Sequence, residues 1–150
     1  MAVVETNASA LDAIERLHQM LVDSKIGYDE AFKVSQGGDL SGLFRQMVVM
    51  RERDLAELAQ LLTAAGRKTD DAGSFMSTVH KTVIDLRSMF TGLDVNSVGA
   101  FADGEELILK QYDETIAELH EPALELAPLL RQQENLRDRV SHMRNLAETV

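Results

Sequence analysis

From Leu11 to Phe32 the residues Leu11, Ile14, Leu17, Leu21, Tyr28 and Phe32 recur at intervals of three, four and seven. That is the period of one face of an α-helix, and it excludes a strand. Three later segments repeat it: Leu43, Phe44, Met47, Met50, Leu58 and Leu61; Phe101, Ile108, Tyr112 and Leu119; and Leu126, Leu129, Leu136, Val140 and Met143. With only two prolines, and glycines gathered at a few places, the pattern reads as long helices with short joints. The expected fold is all-α, an antiparallel four-helix bundle forming one domain over 1–150, with residues 1–8 a disordered tail.

Helix 1 is expected to start after Ser9 as N-cap and to reach about Ser35, where "QGGDLS" breaks it. Asp39 or Ser41 caps helix 2, which stops at Gly66, a natural C′ residue. A shorter amphipathic helix, with Phe75, Met76, Val79, Val83, Leu86 and Phe90 on one side, occupies the crossover over 74–91. Helix 3 runs from about Ser97 to Leu119. A fourth helix starting at Pro122 would place Pro128 in its interior, at a cost of ~3 kcal/mol. A start near Glu125 puts Pro128 in the first turn, where its missing N–H is not needed, and the helix then runs to about Ala147.

The chain carries 25 acidic and 15 basic residues, a net charge of −10, without the clustered cations that a nucleic-acid surface needs. There is no cysteine, so thiolate metal sites and cysteine nucleophiles are excluded. No apolar run reaches membrane-spanning length, and the N-terminal sequence lacks signal-peptide character, so a cytoplasmic, non-membrane protein is expected. No phosphate-binding glycine loop and no hydrolase triad can be placed on one face, which argues against an enzyme.

Each apolar face is broken once near its middle: by Lys25 in helix 1, Asp54 with Arg51 beside it in helix 2, Glu105 in helix 3 and Gln133 in helix 4. Isolated buried charge is costly, so these residues are expected to share one polar layer, with Tyr28 and Tyr112 close by. In this reading Lys25 neutralises Asp54 or Glu105, and Gln133 bonds the remaining carboxylate oxygen. A bundle layer of this kind is also where carboxylate-bridged metal pairs are built, from Glu residues and Glu-x-x-His motifs. Glu105 and Asp54 supply two carboxylates for iron or manganese. The other metal candidates, Glu15 with His18 and Asp138 with His142, lie away from the layer.

"GSFMSTVHKTVIDLRSMFTG" followed by "ADGEELILKQYDETI", together with "GYDEA" at Gly27–Ala31, resembles a family of small bacterial ferritin-like four-helix-bundle proteins of unknown function. Gly104, Glu105, Glu106 and Tyr112 match that family's Gly-Glu-acidic segment with its downstream Tyr. The resemblance implies a ferritin-like bundle. The chain departs from the pattern at Lys25, where a Glu is usual, and at Val140-Ser141, where a His-Asp pair is usual. It therefore looks depleted in metal ligands.

Two functions follow. The first is a non-enzymatic structural or interaction protein, stress-associated, without a cofactor, forming a homodimer or binding a helical partner through 75–90. The second is a metal-binding protein using Glu105 and Asp54 for iron handling or di-metal oxidation.

Overall fold

The structure, a computed structural model, describes residues 7–35, 38, 40–69, 98–120 and 123–148. These are helical and joined by turns: α1 Ala8–Val34, α2 Ser41–Ala64, α3 Val98–Ala117 and α4 Leu126–Glu148. The crossover helix expected over 74–91 lies outside the described residues, and so does the partner surface placed on it. Among the described residues no helix is long and apolar enough to cross a membrane.

The helix ends follow local chemistry. Asn7, not Ser9, caps α1: its side-chain oxygen accepts from the Ala10 N–H at 2.7 Å. This frees Ser9 to donate its hydroxyl to Glu118 at 3.0 Å, and it brings Ala8 out of the expected tail and into the helix. Helix α2 has no side-chain cap, since Leu40 holds the cap position and the Ser41 hydroxyl donates to the Gly38 carbonyl instead. It ends at Ala64 with Ala65 as its C-cap, and Gly66 follows with a φ of +82° that suits glycine. The chain reverses there, with the Arg67 N–H on the Leu62 carbonyl at 2.8 Å and the Gly66 N–H on that of Thr63 at 3.0 Å. Arg67 then reaches back to Asp12 and Glu15 of α1. Helix α4 starts at Leu126, so Pro128 falls in the first turn.

Helix α1 packs on α2 and on α3, and α3 packs on α4. One apolar core draws on all four helices, with Ile14, Leu17, Leu21, Phe44, Met47, Leu58, Leu129, Leu136 and Met143 fully buried. Each such side chain contributes roughly 1.5–3 kcal/mol by leaving water. The polar side chains inside this core are what single out a site.

Candidate functional site

Arg51, from the middle of α2, is completely buried. Its Nη2 donates to Oε2 of Glu105 on α3, and its Nε donates to the Ser24 hydroxyl of α1 at 3.2 Å. The Tyr28 hydroxyl donates to the other Glu105 oxygen, Oε1, at 2.8 Å. Both carboxylate oxygens are thus engaged by residues of two other helices. Tyr28 is held in turn by Phe101, stacked at 5.7 Å between centroids, and Phe44, tilted at 6.1 Å.

Charge and burial decide the protonation states. Burial, reinforced by the negative charge of Glu105, pushes the Tyr28 phenol well above its ordinary value, so it stays a donor. Burial works against the Arg51 cation, but Glu105 and the tyrosines outweigh it and raise the guanidinium further. Tyr28→Phe is expected to cost roughly 1.5–3 kcal/mol in urea unfolding, because a buried charged oxygen loses a donor.

Lys25 does not join this layer. Its ammonium sits at the α1–α2 edge, 38 % exposed, 3.7 Å from Glu52. Leu21 and Tyr28 are seven residues apart, so Ser24 and Lys25 are equally placed to face inward. The small Ser24 does so, its hydroxyl accepting from the Arg51 guanidinium. The counter-ion of Glu105 is therefore Arg51.

Gln133 also departs from expectation. It is buried, but its amide donates to Asp113 at 2.6 Å along the α3–α4 seam rather than to Glu105 or Asp54. Its neighbour Gln132 takes the inner role. Gln132 accepts from the Tyr112 hydroxyl at 2.8 Å and donates to Glu57 at 2.8 Å and to the Asp54 carbonyl at 3.3 Å. Glu57 is bound as well by Arg131, which holds its carboxyl below the usual range. Sequence reasoning passed over Ser24, Glu57, Arg131 and Gln132. For Gln132 the signal was present, since it stands three residues after Leu129 and four before Leu136.

Asp54 lies between the two clusters, 3 % exposed. Burial pushes its carboxyl up to about 6 although Arg51 and Arg53 pull the other way. Its Oδ2 and the Nη1 of Arg51 have no hydrogen-bond partner among the described residues.

The remaining metal candidates are scattered. Glu15 is held by Arg67 at 3.0 Å, and His18 is buried on the same stretch of α1. Asp138 and His142 line a groove between α2 and α4. Among the described residues no three His, Cys, Asp or Glu side chains gather to hold a metal ion.

No curated protein and no solved structure matches the chain. Residues 9–118 match a domain of unknown function, DUF2383, over a stretch that holds Ser24, Tyr28, Arg51, Asp54 and Glu105 but not Gln132 or Gln133. The chain belongs to the DUF2383 family.

Proposed function

We propose that this chain is a non-enzymatic structural or interaction protein of the bacterial cytoplasm. In this reading its ferritin-like, antiparallel bundle carries an arginine where a metal centre would otherwise supply positive charge. The antiparallel arrangement is supported by pairings whose numbers rise on one helix as they fall on the other. Arg67 meets Asp12 where Glu52 meets Lys25, and Arg144 meets Asp103 where Gln133 meets Asp113.

The observation that carries the reading is the ion pair of a fully buried Arg51 with Glu105. A fixed guanidinium at that carboxylate opposes a second cation there. The Glu105 oxygens are already engaged, which leaves Asp54 as the one candidate carboxylate of the layer with an oxygen unpartnered among the described residues. The donor set does not fit a di-metal centre.

The test is a melting titration of chelator-stripped protein with Fe(II), Mn(II) and Zn(II). The expected result is no stoichiometric binding and no melting shift. A one- or two-equivalent shift that Glu105→Gln and Asp54→Asn each abolish would replace this reading with metal handling.

A further inference from the structure

In a chain with ten more acidic than basic residues, a guanidinium on the surface readily finds a carboxylate. Arg67, Arg131, Arg137 and Arg144 all do so. Arg16, Arg45, Arg53 and Arg139 form no ion pair among the described residues, and the last three line a single groove between α2 and α4, with a volume of about 670 Å³. Arg45, Val49 and Arg53 follow one another at intervals of four, so they share a face of α2, with the two arginines about 12 Å apart along its axis. Arg139 approaches from α4, its Nη1 donating to Gln46 across the groove at 2.8 Å. One carboxylate, Asp138, stands against the three guanidiniums on this lining.

A concavity lined mainly by cations focuses a positive potential and raises the local concentration of anions. Planar guanidinium forks match the oxygens of phosphate, and arginines on two helices converge on one volume rather than tracking a line. The volume is that of a small-molecule site. Val49, 54 % exposed between Arg45 and Arg53, gives the groove an apolar floor. We propose that the α2–α4 groove binds a phosphorylated small molecule bearing at least two phosphates, held by Arg45, Arg53 and Arg139, with its uncharged part on Val49. This site is separate from the buried layer and does not rest on the reading of that layer.

The test is calorimetric titration of the full chain with tripolyphosphate and with ADP at low ionic strength. Each is expected to bind once per chain, with an affinity that falls as salt rises. The Arg45→Ala/Arg53→Ala variant should lose about tenfold or more in affinity. Its melting temperature without ligand should hold, since neither arginine is ion-paired among the described residues. Arg137→Ala, which acts instead on the pair with Asp113 and Glu134, should leave binding unchanged. Three results would overturn the proposal: no binding of tripolyphosphate or ADP; binding undiminished in the double variant; or equal displacement by sulfate at matched ionic strength. A glutamate-rich peptide binding more tightly than tripolyphosphate would also overturn it, in favour of a protein partner.

Discussion

Arg51→Met is expected to lower unfolding free energy by about 3–5 kcal/mol, because it leaves the Glu105 carboxylate buried without its cation. The variant removes both the Glu105 contact and the bond to Ser24. Arg51→Met/Glu105→Gln should recover much of the loss, since the neutral amide still accepts from Tyr28 and the Glu105 charge is gone. Lys25→Met should cost under about 1 kcal/mol, because its contact with Glu52 is a partly exposed ion pair. Urea unfolding at low and high salt separates the two further. The surface pair weakens as salt rises, whereas the buried pair is shielded from the ions. A large loss in Lys25→Met with little change in Arg51→Met would refute the placement of the counter-ion.

The second large effect is a dependence on pH. The Asp54 carboxyl titrates near 6 in the folded chain, against an ordinary value of 3.8. The folded state thus holds this proton more tightly than the unfolded chain does. The stabilisation from the protonated form is fully present below about pH 4 and is lost as pH rises through about 6. A shift of this size corresponds to about 2–3 kcal/mol at neutral pH. Asp54→Asn is neutral at every pH and escapes that loss. It should be more stable than the parent at pH 7.5 by up to that amount, and the gap should close on acidification to pH 4. Because other carboxylates titrate over the same range, the informative quantity is the difference between the two proteins. Parallel stability curves would show that Asp54 ionises normally.

The helices were legible because their apolar spacing extends over 18 to 22 residues, and an error of one position does not alter such a pattern. The caps were less so: Asn7 and Ser9 both suit an N-cap, and the choice depends on Glu118, more than a hundred residues away. The polar layer shows the same limit more sharply. Arg51, Asp54, Glu105, Tyr28 and Tyr112 are buried where the stripes place them. Within the seven-residue gap of α1, however, the pattern does not distinguish Ser24 from Lys25. In the matching gap of α4 it does not distinguish Gln132 from Gln133, and there both are buried. The hydrogen bond from Arg51 decides the first case, and the reach of Tyr112 and Glu57 decides the second. These are properties of neighbouring helices, which a one-dimensional count cannot contain. The groove arginines fell outside it for another reason: they come from two helices, and only three dimensions bring them to one groove.

The Arg51–Glu105 contact also fixes how α2 and α3 align. Leucine against leucine is tolerant of sliding, and a bundle held by such contacts alone has several alignments of similar energy. A displacement of one turn between α2 and α3 would bring Arg51 toward Phe101 or Leu109 in place of Glu105, burying a guanidinium against apolar carbon. The pair therefore acts as a notch, admitting one vertical register among helices whose oily faces would accept its neighbours almost as well.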